Sequence, residues 1–252
     1  MQNQFGLIGR TLSHSFSKGY FTEKFEKLGL SESHEYHLFE LEKIKEFPDL
    51  VKKLGLELKG LNVTIPYKQE IMPFLDEIDE AAQKIGAVNT IKVLPKLKLK
   101  GYNSDYWGFR WTLETWPEFR EIQPQKALVL GKGGAAKAVV VALNDLGIEV
   151  QYVSRKKEIG TLTYEELTQE VIDNYQLIIN TTPLGMYPNV DSFPEIPYHL
   201  LSSKHLLYDL VYNPAETLFL KKGKENGIKS THSGLAMLHG QAEKAWEIWG
   251  EE

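Results

Sequence analysis

The run KALVLGKGGAAKAVV, residues 126–140, decides the fold. An apolar strand, Ala127–Leu130, runs into the glycines Gly131, Gly133 and Gly134, and an amphipathic helix, Gly134–Leu146, opens directly after them. Glycines there let the backbone turn tightly and approach a pyrophosphate, which the partial positive charge of a helix N-terminus attracts. The spacing GxGG is a variant of GxGxxG, and a tight strand–helix turn without a ligand competes with this reading. The next strand helps to separate the two. NAD sites usually end that strand in Asp or Glu, which accepts hydrogen bonds from the ribose hydroxyls. Here Glu149–Val153 ends in Ser154, Arg155, Lys156 and Lys157. A cation cluster suits the 2′-phosphate of NADP, for which arginine offers a planar fork of donors; a solvated basic turn is the plainer alternative. Lys132, inside the glycine turn, either adds a cation near the phosphates or points to solvent.

Short apolar runs alternate with amphipathic stretches on both sides of this motif. Downstream, the pattern predicts a helix over Tyr164–Ile172 and a strand over Leu177–Ile179. A long loop, Thr181–Tyr198, follows, then a strand at His205–Leu210 and a helix at Glu216–Asn226. A short strand at Ile228–Ser230 and a helix over Gly234–Trp249 complete the chain. Upstream, strands are expected at Gln4–Ile8, His34–Phe39, Leu61–Ile65 and Val88–Val93, with Lys98–Tyr102 as a hairpin partner of the last. Helices are expected over Lys18–Leu28, from Leu41 to Leu54, over Asp76–Ile85 and over Tyr106–Thr115. Trp116–Gln125, polar and with two prolines, reads as a surface connection. Such alternation is the mark of βαβ units and a mainly parallel sheet, so the fold class is α/β.

A length of 252 residues allows one large domain or two modest ones. The net charge of −5 argues against nucleic acid or an anionic membrane as main partner. There is no cysteine, which removes disulfides, thiolate zinc sites and cysteine nucleophiles. The N-terminus carries no basic segment followed by an apolar one, and no apolar run approaches the ~18 residues that span a bilayer. A cytoplasmic enzyme is expected. His34 and His37 lie three apart in a strand, on opposite faces, and no HExxH pattern occurs, so no metal site is expected.

Small polar residues collect at strand ends in the first half: Ser13, Ser15, Ser17, Asn62, Thr64, Lys68, Asn89, Thr90, Asn103, Ser104 and Asp105. Ligands of open α/β sheets bind beyond the carboxyl ends of strands. Uncharged donors and acceptors with one lysine and one aspartate suit a polyhydroxylated acid. Each has a plainer role open to it: Ser17 as the cap of a helix from Lys18, Asp105 as the cap of one from Tyr106, Lys68 as a surface lysine.

Taken in order, these segments resemble the shikimate dehydrogenase family. The matching motifs are SHSFS at Ser13–Ser17, NVTIPYK at Asn62–Lys68, GAVNT at Gly86–Thr90 and NSD at Asn103–Asp105. GKGGA at Gly131–Ala135, SR at Ser154–Arg155, NTTPLGM at Asn180–Met186, YDLVYNP at Tyr208–Pro214 and GLAMLHGQ at Gly234–Gln241 continue the series along essentially the whole chain. The resemblance implies reduction of 3-dehydroshikimate to shikimate with NADPH, in chorismate and aromatic amino acid biosynthesis. It implies Lys68 and Asp105 as catalytic pair. Ser15 and Ser17 would hold the substrate carboxylate, Thr64, Asn89 and Asp105 the ring hydroxyls, with Tyr212 and Gln241 also on the substrate. Cofactor positions would be Gly131, Gly133, Gly134, Ala135, Ser154, Arg155, Lys156, Thr181, Gly234 and Met237. Met237 and Gln241, four apart, share a helix face.

The resemblance also implies two domains: residues 1–103 plus 234–252 for substrate, and a Rossmann-like NADP domain over 104–233, with the C-terminal helix packing back on the first and catalysis between them. Either a monomer or a homodimer is compatible. Where the family carries a glycine after the aspartate, this chain has Tyr106, expected to bring a bulky ring near the catalytic region; Lys132 replaces a common alanine. Two rival readings remain: a quinate/shikimate dehydrogenase with relaxed substrate or cofactor choice, and a non-catalytic metabolite-sensing module on the same fold.

Overall fold

The computed structural model describes residues 2–12 and 15–250. Ser13 and His14, the first two residues of the serine motif, lie outside the described residues. The strands are β1 (Asn3–Gly9), β2 (His34–Glu40), β3 (Leu58–Val63), β4 (Glu77–Ile78), β5 (Thr90–Val93), β6 (Leu99–Tyr102), β7 (Lys126–Leu130), β8 (Glu149–Val153), β9 (Thr161–Leu162), β10 (Leu177–Asn180), β11 (Leu206–Asp209) and β12 (Ser230–Ser233). The helices are α1 (Phe16–Lys27), α2 (Phe47–Leu54), α3 (Glu80–Ile85), α4 (Ser104–Thr115), α5 (Pro117–Ile122), α6 (Gly134–Asp145), α7 (Gln169–Asn174), α8 (Leu218–Glu225) and α9 (Leu235–Gly250). The chain forms two compact units, Met1–Ser104 with Ala242–Glu252, and Asp105–Gln241.

In the first unit the sheet runs β2-β1-β3-β5-β6-β4. β1 lies parallel to β2 and β3, β5 is antiparallel to both β3 and β6, and β4 is parallel to β6, so the sheet is mainly parallel with β5 its one reversed strand. The expected hairpin of β5 and β6 accounts for the change of direction. Alternate residues of β1 serve different cores. Phe5 and Leu7 join Phe21, Phe25 and Trp249, while Ile8 joins Phe47, Leu61 and Ile91. The end of α9 covers the first face, as the α/β resemblance implied: Trp246 and Trp249 pack in that aromatic cluster. Gly60 makes room for it. A Cβ there would stand 2.3 Å from the Trp249 indole, whose Nε1 donates to Ile91 O at 3.0 Å.

The second unit holds a fully parallel sheet ordered β12-β11-β10-β7-β8-β9. Read from the other edge this is 3-2-1-4-5-6, the doubly wound order of dinucleotide-binding folds. β7, β10 and β11 are almost uninterrupted apolar runs, buried along nearly all their length, because helices cover both faces.

Several sequence expectations are corrected. Asp76–Ile85 is not one helix: Asp76 Oδ2 accepts from Leu99 N at 2.8 Å, β4 pairs with β6, and α3 starts only after Asp79 caps it. Tyr164–Ile172 likewise breaks, because Thr168 caps a later helix, α7. Trp116–Gln125 contains α5, which Pro117 opens in the first turn, where an N–H has no acceptor within the helix. β9 is two residues long, too short to leave a period, and β12 is polar and lies at Ser230–Ser233 rather than Ile228–Ser230. Among the described residues no helix is long and apolar enough to cross a membrane.

Candidate active site

In the first unit a chain of polar contacts crosses the sheet. Ser15, not Ser17, caps α1, its Oγ accepting from Lys18 N at 3.4 Å and keeping its own proton to donate. Ser17 lies in the first turn and hydrogen-bonds Tyr36, a buried tyrosine whose hydroxyl donates to Asn62 Oδ1 at 2.7 Å. Burial pushes the Tyr36 hydroxyl well above the usual tyrosine range, so it stays a neutral donor. Asn62 Nδ2 in turn reaches Thr90 Oγ1 at 3.3 Å and Asn89 O at 3.4 Å. Asn89 Oδ1 accepts from Ser104 N at 2.7 Å, Ser104 Oγ at 3.2 Å and Thr90 Oγ1 at 3.1 Å. That oxygen is thus committed to anchoring the start of α4. Asn89 Nδ2 has no protein acceptor among the described residues, which leaves a donor for a ligand hydroxyl.

Thr64 N donates to Ile8 O at 2.8 Å, fixing Thr64 at the end of β3. Lys68 follows in the turn. Its carbonyl accepts from Val88 N at 2.7 Å, and its neighbour Tyr67 is buried with its hydroxyl on Leu41 O at 2.6 Å and Glu42 O at 2.8 Å. The backbone that carries Lys68 is therefore held from two sides.

The second unit begins at Asp105, in the first turn of α4 rather than at its cap, because the helix starts at Ser104. Tyr106 is buried, and its hydroxyl donates to Asp145 Oδ2 at 2.9 Å, at the end of α6, and accepts from Arg110 Nη1 at 3.2 Å. The ring expected near the catalytic region is thus spent on packing α4 against α6. Gly108 lets α9 approach α4: a Cβ on it would stand 2.8 Å from Met237 O and 2.9 Å from Gln241 N. Met237 is buried and Gln241 half-buried along that crossing.

Because the second sheet is parallel, the carboxyl ends of its strands fall on one edge, and the predicted cofactor residues gather there. Gly131 adopts φ +98°, and a Cβ on it would meet Thr182 at 2.8 Å and Thr181 Oγ1 at 3.2 Å. Thr181 Oγ1 donates to Leu130 O at 2.7 Å, so Gly131 and Thr181 adjoin where the strand order reverses, between β7 and β10. Gly133 caps α6 with no side-chain hydrogen bond, and a Cβ on Gly133 or Gly134 would meet nothing within 4 Å. Their glycine identity is not demanded by protein packing. It leaves bare N–H groups, up to Ala135, with open space in front, a cradle that fits a pyrophosphate. Ser154 Oγ donates to Lys156 O at 2.6 Å and accepts from Lys156 N at 3.2 Å, which fixes the basic turn after β8. Arg155 and Lys156 are exposed there. Gly234 presses on β11's end, where any Cβ would lie 2.1 Å from Leu210 O, and Tyr212 stands in the following loop, 43% exposed.

Sequence reading missed the group that organises this edge. Asp209, buried at the end of β11, accepts from Asn180 Nδ2 at 2.9 Å, Val211 N at 3.0 Å and Thr217 Oγ1 at 2.5 Å. Asn180 Oδ1 accepts from Thr182 N at 3.0 Å and Thr182 Oγ1 at 2.6 Å. The pair ties together the loops bearing Thr181 and Tyr212. Burial outweighs the three donated hydrogen bonds and pushes the Asp209 carboxyl up to about 6. Its sequence signals are an acid ending an apolar strand and its place in the YDLVYNP motif, neither of which names its partners.

Comparison with known proteins agrees in both units. Residues 7–91 match the family described as shikimate dehydrogenase substrate binding domain. The chain is 46% identical to the shikimate dehydrogenase (NADP(+)) of Clostridium beijerinckii, across 98% of this chain and 92% of that one. Among solved structures, the chorismate mutase/shikimate 5-dehydrogenase fusion protein from Clostridium acetobutylicum superposes with a TM-score of 0.85 at 40% identity, covering 99% of this chain and 92% of that one. The shikimate 5-dehydrogenase from Thermus thermophilus, in complex with NADP(H) and shikimate, gives 0.81 at 30% identity, covering 99% and 94%. The doubly wound sheet with its glycine turn is a dinucleotide-binding fold, and relatives of this identity over nearly the whole chain make the protein an NADP-dependent oxidoreductase. The chain belongs to the shikimate dehydrogenase family.

Proposed function

We propose that this protein catalyses the NADP-dependent, reversible reduction of 3-dehydroshikimate to shikimate, the step that serves chorismate and aromatic amino acid synthesis, and does so in the cytoplasm. What carries the reading is the parallel-sheet edge that joins an open glycine cradle to the basic turn Ser154–Lys157, in a chain 46% identical to an NADP-dependent shikimate dehydrogenase. Residues 1–103 plus 234–252 form the substrate domain and 104–233 the cofactor domain, each lending a few residues to the other's ligand.

The cofactor, when bound, supplies hydride to the carbonyl carbon. The remaining tasks fall to side chains. Lys68 gives a proton to the developing alkoxide and stabilises its charge. Asp105 orients the reacting hydroxyl and Lys68. The hydroxyls of Ser15 and Ser17 hold the carboxylate, and Thr64 and the Asn89 amide hold ring hydroxyls, with Gln241 and Tyr212 completing substrate binding. Gly131, Gly133, Gly134 and Ala135 offer backbone to the pyrophosphate, and Ser154, Arg155 and Lys156 take the 2′-phosphate. Thr181, Gly234 and Met237 lie toward the nicotinamide.

Absorbance at 340 nm with shikimate or quinate and NADP or NAD, in all four pairings, tests this. Turnover chiefly with shikimate and NADP is expected, and Lys68→Ala should lower it by about 10²–10⁴. Near-normal turnover of Lys68→Ala refutes the catalytic assignment. Dominant turnover with quinate or NAD refutes the specificity. Shikimate binding without any NADP reduction points to the sensing module.

A further inference from the structure

Lys132 does not extend freely into solvent. From the glycine turn it reaches across to the loop after β8, where its ammonium hydrogen-bonds Glu158 and lies 5.8 Å from the ring centre of Tyr152. Glu158 has no other side-chain hydrogen bond among the described residues. Its carboxyl is held below the usual range, first by the hydrogen bond from Lys132, then by that ammonium's charge, with Lys156 contributing. The contrast with Lys157 is instructive. Lys157 pairs with Glu166, but that carboxylate also accepts from Thr163 N at 2.7 Å, so it belongs to a local cap. Glu158 serves no such cap. It is an anion on the loop that follows the basic turn, paired with the cation of the glycine turn.

We infer that Lys132 is a further determinant of cofactor choice, a 2′-phosphate ligand supplied by the glycine turn, and that Glu158 is an internal surrogate for that phosphate. The carboxylate holds Lys132 over Tyr152 of β8, on the strand that leads into the basic turn. A 2′-phosphate, with more negative charge and three acceptor oxygens, displaces it and inherits the ammonium groups of Lys132 and Lys156. NAD, lacking the phosphate, leaves the Lys132–Glu158 pair closed. The inference rests on the reading that the Ser154–Lys157 turn receives the 2′-phosphate.

Calorimetric titration of the full chain with NADP+ and with NAD+ at low salt tests it, because the two dinucleotides differ only in that group. Lys132→Gln should reduce the preference for NADP+ by about tenfold while NAD+ affinity changes by less than about twofold. Glu158→Gln should raise the preference by about threefold. In the double variant that gain should vanish, since the cation it releases is gone. Equal loss of both dinucleotides in Lys132→Gln would assign the lysine to the shared pyrophosphate and overturn the inference. So would an unchanged preference in Lys132→Gln alongside a lost one in Arg155→Gln, an outcome that keeps the basic-turn reading. No preference in the unaltered protein overturns both.

Discussion

Asn180 Nδ2 donates to Asp209 Oδ1 at 2.9 Å, bridging the carboxyl ends of the adjacent strands β10 and β11. Two side chains thereby hold the two loops proposed to meet nicotinamide and substrate. The aspartate is the titrating member. Its folded-state pKa is raised from 3.8 to about 6, so the native state keeps the proton longer than the unfolded chain. The stabilisation is fully present below about pH 4 and is lost as pH rises through about 6. Asp209→Asn keeps the shape and cannot titrate. Between pH 4 and 7 the unaltered protein should lose about 2 kcal/mol of unfolding free energy relative to that variant. Urea denaturation at both pH values measures this, and a flat or inverted difference would sink it.

Asp209→Ala is a different perturbation. It leaves Asn180, Thr217 and the Val211 N–H without their acceptor, at about 1–3 kcal/mol per buried orphan. A loss of at least about 3 kcal/mol is expected. Thermal and urea unfolding at neutral pH give the value.

Gly60 and Gly19 make an opposed pair. A methyl on Gly60 runs into the Trp249 indole at 2.3 Å, so Gly60→Ala should cost about 2–4 kcal/mol and break the bond to Ile91 O. Gly19, inside α1, faces open space, and Gly19→Ala should stabilise by about 0.5–1 kcal/mol. Equal effects of the two substitutions would contradict this account of how α9 docks.

Gly108→Ala should act on substrate rather than on the fold alone. The added carbon meets the backbone of α9 at Met237 and Gln241, which cannot step aside as a flexible side chain would. Sub-ångström displacement of the proposed substrate glutamine should lower kcat/KM for shikimate by about 10–100-fold. Steady-state kinetics alongside a melting curve separates this from instability; intact kcat/KM in a destabilised variant would count against it.

Tyr106→Phe should behave oppositely. It removes the hydroxyl that links Asp145 and Arg110, at about 1 kcal/mol, and leaves turnover within about twofold. A large loss of kcat would mean that Tyr106 does more than join α4 to α6.

The order of doubly wound elements in the second unit was legible because each central strand is a short buried apolar run bounded by a turn signal, and local pattern then reports tertiary burial directly. Gly131, Gly133 and Gly134, and the basic turn from Ser154 to Lys157, were legible for the same reason: a backbone conformation or a charge cluster is written in adjacent residues. The family, too, follows from motifs in linear order. What the sequence could not express are relationships between distant residues. The pairing of β4, the turn of Tyr106 toward Asp145, the crossing of α4 and α9 at Gly108, the donors around Asp209 and the Lys132–Glu158 pair were all decided by which segments the packed sheets bring within a few ångströms. A side chain's period along the chain predicts the face it occupies. Its partner is fixed only when burial closes the core and every polar group enclosed there must find a donor or an acceptor.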